Sequence, residues 1–269
     1  MSLGEIQVRA AIVGIALLCS SSYAALSQGA FNNWARCTNT NISPDNRINY
    51  CKRLLNSGGG PDSEITVLTV LGSLYREMHD YPAALDSYSR AAGFEALGVS
   101  DIHQVTHAPG SAISIPTSGA LIGALEGRAE VYALTGKPDL ALADAEHIFR
   151  LAPDAANSYA IRCRVRTLLK LDLAKAQSDC TQAAKLEPKN TQVLGASGLL
   201  LYQLGNLKDA QADFDQALSI SPKLAGALYM RGVIENRRGN KEAGAADIAA
   251  ARNEDPDIAS SFADLGVAP

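Results

Sequence analysis

One spacing dominates the chain. Pro188, Pro222 and Pro256 are separated by 34 residues each. Gly205 and Gly239 keep the same step, as do Ala176 and Ala210, the series Ala183, Ala217 and Ala251, and the series Asp179, Asp213 and Asp247. Upstream, Gly136, Ala141, Asp144 and Pro153 repeat the order, with one residue gained before Pro188. Earlier still, Leu71-Gly72-Ser73-Leu74-Tyr75 is followed by Asp80-Tyr81-Pro82-Ala83-Ala84, then Tyr88 and Ala91, at matching offsets. A fixed period of this length is the mark of a repeat architecture, in which one small unit is stacked on copies of itself.

Each unit carries two helical stripes divided by a polar turn such as Leu204-Gly205-Asn206. Glycine at the turn tolerates the left-handed conformation that ends a first helix. Proline at the unit's end stops the second. One helix pair cannot bury its apolar face alone, so the units must stack. The composition agrees: 47% of residues are hydrophobic but only 6% aromatic. Such a core is built from small side chains that let helices approach closely. The expectation is an all-α solenoid. A last stripe, Ile258, Phe262 and Leu265, reads as a capping helix in the 259–269 tail.

At these residues the sequence resembles the tetratricopeptide repeat (TPR) family. Its motif has a small residue at position 8, a large one at 11, Gly then Asp or Asn at 15 and 16, Ala at 20, a large residue at 24, Ala at 27 and Pro at 32. Five units fit, over 63–98, 122–155, 156–190, 191–224 and 225–258, with 99–121 as an insertion. Departures are His79 and Leu171 in place of the turn glycine, Gly244 for the Ala at 20, and Glu235 for the residue at 11. The resemblance implies a right-handed α-α superhelix whose first helices line a concave groove. The matching positions are Thr69, Ser73 and Arg76, then Glu126 and Glu130, then Arg164, then Leu199 and Tyr202, then Tyr229, Val233 and Asn236. Family members that clamp a C-terminal carboxylate use basic and amide residues that are mostly absent here. The expected ligand is therefore an extended or helical peptide that buries apolar side chains against Leu199, Tyr202 and Tyr229. The alternative is that these residues only pack between repeats.

Antiparallel pairing makes positions that sum to about 31 face each other. Arg128, Arg162 and Arg231 stand at 7, and Asp144, Asp179 and Asp247 at 23 of the same units. Half-exposed Arg–Asp pairs follow, each worth roughly 0–1 kcal/mol. The fourth unit has Asp213 but Ser197. Cys163 at 8 and Cys180 at 24 face each other by the same arithmetic, as a disulfide or as two small buried thiols. Cys37 and Cys51 precede the repeats in segment 25–62, where Ser43-Pro44-Asp45 reads as a helix start. A bridge there would staple the region of Trp34 to that helix. The arrangement resembles the lead-in of exported bacterial TPR proteins.

Export has its own signature. Arg9 precedes an apolar stretch from Ala10 to Leu18, and Ser22-Tyr23-Ala24 offers small residues for cleavage after Ala24. Residues 1–24 read as a secretory signal peptide. A lipidated Cys19 and a buried N-terminal helix are the alternatives. Removing Cys19 leaves four cysteines, an even number suited to an oxidising compartment such as the periplasm or the exterior. No Cys-x-x-Cys is present to suggest a redox motif or zinc ribbon.

Signals for chemistry are weak. A net charge of −4 argues against nucleic acid. No apolar run reaches the roughly 20 residues of a membrane span. The insertion between repeats contains His103 and His107, a spacing that lacks a clear third metal ligand. The glycines of Ser57 to Pro61 lack a phosphate-loop ending and read as a hinge, and no nucleophile elbow occurs. Asn41-Ile42-Ser43 is a formal glycosylation sequon. No cofactor or metal is expected. Three functions remain open: a non-catalytic exported adaptor for a protein or peptide, a self-associating envelope protein, and an enzyme or metal binder sited in the insertion.

Overall fold

The computed structural model describes residues 31–57, 61–93, 117–264 and 266–267. The expected signal peptide, the hinge glycines Gly58 to Gly60, His103, His107 and Leu265 lie outside the described residues. Every regular element among those described is helical. A lead-in of α1 (31–37) and α2 (Pro44–Ser57) precedes five helix pairs. These are α3 (Pro61–Glu77) with α4 (Tyr81–Gly93), α5 (Thr117–Leu134) with α6 (Pro138–Leu151), and α7 (Ala156–Leu168) with α8 (Leu173–Leu186). Next come α9 (Thr191–Gln203) with α10 (Leu207–Ile220) and α11 (Ala225–Arg237) with α12 (Lys241–Glu254), and α13 (Ile258–Asp264) follows. Each pair is antiparallel and packs on the next, giving an all-α helical-repeat solenoid.

Local chemistry sets the element ends. Helices α6, α8, α10 and α12 each stop two residues before Pro153, Pro188, Pro222 and Pro256. The residue preceding each proline is pushed out of the helical region, with ψ of 70° at Ala152, 78° at Glu187, 87° at Ser221 and 101° at Asp255. The turns inside the pairs use a left-handed residue, Gly136, Gly205 or Gly239. In the third repeat that residue is Lys170 (φ 53°), not Leu171 as the motif alignment suggested, and Asp172 follows at φ 47°. The extra residue of this repeat is accommodated here. Asp172 accepts from the Lys175 amide and caps α8.

Within a pair, one packing site recurs. Positions 8 and 24 meet where the helices are closest. Gly72 lies under the ring of Tyr88, and Gly198 under that of Phe214, where an added Cβ would come within 2.8 Å of the ring. Gly232 meets Ile248 and the carbonyl of Gly244. In the third repeat the same two positions are Cys163 and Cys180, bonded with a Cα–Cα distance of 5.5 Å. The disulfide thus stands where the first, fourth and fifth repeats use glycine and a large side chain and the second uses the buried alanines Ala129 and Ala145.

The ends are closed differently. Cys37 and Cys51 are bonded (Cα–Cα 5.1 Å) and fully buried. They pack with Ile48 onto Val67, Leu71 and Leu74, so the lead-in covers the outer face of α3. At the other end α13 lies on α11, and Phe262 stacks on Tyr229 with ring centroids 4.9 Å apart.

Candidate functional site

The first helices of all five pairs, with α13, line one cavity of about 650 Å³. Its floor is opened by small residues: a Cβ at Gly195 would meet nothing within 4 Å. Its polar lining includes Thr69, Ser73, Arg76, Glu77, Glu126, Glu130 and Arg164. Its apolar lining includes Leu134, Leu168, Leu199, Met230, Ile258 and Phe262.

Four of the lining charges are tied to one another across three repeats. Arg76 of α3 donates to Glu130 of α5. Arg164 of α7 pairs with Glu130 at 2.9 Å and donates to Glu126. Burial opposes the charge on Arg164, but Glu130 and Glu126 outweigh it and hold the guanidinium above its ordinary range. Burial also opposes the charge on Glu130, and there Arg164 and Arg76 win, holding its carboxyl below the usual range. The ladder neutralises itself and fixes the spacing of α3, α5 and α7.

Position 7 carries a second network. Arg128 forks onto Asp144 (2.8 and 2.7 Å), Arg162 onto Asp179 (3.0 and 2.7 Å) and Arg231 onto Asp247 (2.6 and 2.8 Å). The pairs are as spaced, but two are less exposed than expected, since Asp144 and Asp179 are only 6% and 5% exposed. Each arginine also reaches the preceding repeat at position 25: Ser89 from Arg128, Glu146 from Arg162 and Asp215 from Arg231. Pairing arithmetic within a unit could not see that third arm. Arg166 adds further bonds to Asp179 and Glu146. In the fourth repeat no arginine stands at 7. There Asp213 Oδ2 has no hydrogen-bond partner, and burial raises its carboxyl, opposed by a bond from Ser197.

The expected groove residues divide. Arg76, Glu126, Glu130, Arg164 and Leu199 line the cavity. Tyr202, Tyr229, Val233 and Asn236 do not, and the motif-based placement is corrected there. Tyr229 and Val233 are fully buried. Phe262 stacks on Tyr229 and lines the cavity in its place, because α13 occupies the side a sixth repeat would cover. Tyr202 is buried beneath the guanidinium of Arg237, 4.5 Å from its ring centroid. Asn236 lies against Gly244, between the two helices of its pair. Gly226, Ala227 and Met230 are what α11 presents to the cavity. The sequence reading missed Glu77 and Asp255, both lining it, because they fall at helix ends that the motif does not score. Among the described residues no group of His, Cys, Asp and Glu could hold a metal, and no helix is long and apolar enough to cross a membrane.

Residues 191–224 match the family model described as tetratricopeptide repeat. The structure resembles a thermophilic TPR protein from Thermus thermophilus, at 17% identity and a TM-score of 0.53, over 74% of this chain and 95% of that one. A tetratricopeptide repeat protein from Parabacteroides merdae matches at 17% identity and a TM-score of 0.48, over 91% and 93% of the two chains. The comparison with curated proteins gave no match. Residues 191–224 are thus a tetratricopeptide repeat, and the same helix pair is built four more times around it, giving the chain the fold of a tetratricopeptide-repeat solenoid.

Proposed function

We propose that the chain is a non-catalytic, exported adaptor that holds a peptide segment of a protein partner in its concave cavity. A TPR fold points to protein partners as a class, and the site must supply the rest. The observation that carries the reading is the shape and lining of the cavity. It is lined by the first helices, with apolar side chains beside a ladder of Arg76, Glu126, Glu130 and Arg164 whose charges are already paired. A segment laid there buries apolar side chains on the partly exposed Leu134, Leu168 and Phe262, while Arg76, Glu126, Glu130 and Arg164 keep their own partners. Export is supported by two bonded cysteine pairs, which persist in oxidising compartments.

The test places a photo-crosslinking amino acid at Gln192, which is exposed and lines the cavity, and at Lys185 on the outer helix α8 as a control. A discrete adduct from Gln192 alone, lost when Gly195→Phe fills the cavity from its floor, is the expected result. Equal adducts from both positions refute the reading.

A second reading has its own observation. Leu140, Leu171 and Leu204 are 48%, 41% and 46% exposed, and lie at or near the inner turns of consecutive repeats. Leu186 and Ile220, exposed at 44% and 45%, stand 34 residues apart at the ends of α8 and α10. Apolar edges of this kind suit self-association. Sedimentation over a range of protein concentrations distinguishes it, since a size that does not change sinks this reading.

A further inference from the structure

One mouth of the cavity carries charge that is not self-neutralised. Glu77, the last residue of α3, and Asp255, just past the end of α12, line the same cavity although they come from the first and fifth repeats. The Asp257 amide donates to Asp255 Oδ1 at 3.0 Å. Burial raises the Glu77 carboxyl; Asp255 and Asp257 add to that rise, while Arg47 and Arg76 oppose it. Carboxylates from opposite ends of the solenoid are therefore close enough to feel one another. The opposing cations are largely committed. Arg47, 3.8 Å from Glu77, also donates to the Cys37 carbonyl at 3.1 Å, and Arg76 is bound to Glu130. Neither Asp255 nor Asp257 has an ion-pair partner among the described residues.

Helix polarity strengthens the same field. Glu77 and Asp255 sit at the C-terminal ends of α3 and α12, where unpaired carbonyls already make the potential negative. An acid there works against its own helix, and a cation placed there gains from both. The same cavity is lined by the apolar side chains of Leu134, Leu168, Leu199 and Phe262. The cavity thus asks for two things in one segment: apolar side chains along its length and positive charge at the Glu77–Asp255 mouth.

We propose that the occupant of this cavity is a basic-apolar peptide, with a Lys or Arg side chain seated between Glu77 and Asp255 and apolar neighbours against Leu168 and Leu199. The inference rests on the groove reading above and specifies the chemistry of its ligand. It is opposite in sign to an occupant held by its terminal carboxylate.

The probe is a set of fluorescein-labelled degenerate peptides about nine residues long, about 30 Å when extended. Each pool has one fixed central residue, Lys, Arg, Glu or Leu, and binding to the full oxidised chain is read by anisotropy. The fixed-Lys and fixed-Arg pools are expected to bind about five- to tenfold more tightly than the fixed-Glu pool, the size of one or two partly exposed ion pairs. The ratio falls toward one in Glu77→Gln/Asp255→Asn, and also as salt rises from about 50 mM to about 500 mM. Pools that bind without a basic preference, or a preference that survives the double substitution, overturn the proposal and leave the groove reading standing. Binding that ignores Gly195→Phe, or no binding by any pool, overturns the groove reading and the proposal with it.

Discussion

The fourth repeat lacks a staple that three of its neighbours share, and supplying it is a direct test of the packing logic. Ser197→Arg puts an arginine at position 7, across from Asp213 at 23. In the second, third and fifth repeats that pair makes two bonds of 2.6–3.0 Å, with a third arm to the preceding repeat. Here the third arm would meet Thr181, the exposed counterpart of Ser89 at position 25. Asp213 now has one oxygen without a partner, and burial raises its carboxyl. A raised carboxyl costs stability at neutral pH, a cost relieved as pH falls through its folded value. Pairing with arginine reverses the sign, so the gain is present at neutral pH and lost as the carboxylate is protonated. Two charge-assisted bonds, set against the side-chain entropy of arginine and partial screening, leave a net gain of about 1 kcal/mol. That is a rise of about 2–4 °C in melting temperature for a chain of this size. Thermal unfolding by circular dichroism at neutral pH and at about pH 3 reads both limbs, the acid limb lying below the ordinary carboxylate range. No gain at neutral pH, or an equal gain at both, refutes the account.

Other outcomes follow from the same geometry. In α9, Gly195→Ala adds a Cβ into open space and gains about 1 kcal/mol of helix propensity, whereas Gly198→Ala drives a Cβ into Phe214 and costs about 1–3 kcal/mol. Urea unfolding of the two variants should therefore move in opposite directions. Lys170→Gly relieves a left-handed non-glycine turn and should gain about 1 kcal/mol, readable as a shifted denaturation midpoint. Cys163→Ala/Cys180→Ala opens a bridge spanning 17 residues and should cost about 3 kcal/mol. The same loss should appear when the oxidised native chain is unfolded with and without reductant. Tyr229→Ala removes a fully buried ring stacked on Phe262 and should cost about 3–5 kcal/mol, so it reports on folding rather than on the partner.

The periodicity made most of the architecture legible. The prolines, turn glycines and position-23 acids act within a few residues or across one antiparallel pair, so counting along the chain finds them. Cys163 and Cys180 were found in the same way, because positions 8 and 24 face each other whatever the neighbouring repeats do. Arg162 shows where counting ends: its bond to Asp179 lies inside the unit, but its bond to Glu146 crosses to another unit. Lys170 shows a smaller gap, since a one-residue insertion moved the left-handed position away from the residue the alignment assigned.

The sequence by itself determined the repeat, the helix ends, the internal Arg–Asp pairs and the small-residue contacts, because each of these is settled by local sterics and by partners at fixed separation. Only the tertiary structure decided which first-helix residues face open space. Arg76, Glu130 and Arg164 became a self-neutral ladder once three repeats were superposed. Tyr229 passed from the groove to the core because α13 covers it. Glu77 of the first repeat and Asp255 at the end of the fifth came to line one cavity only in the assembled stack. Superhelical curvature sums small rotations over every interface, and no single repeat carries that sum.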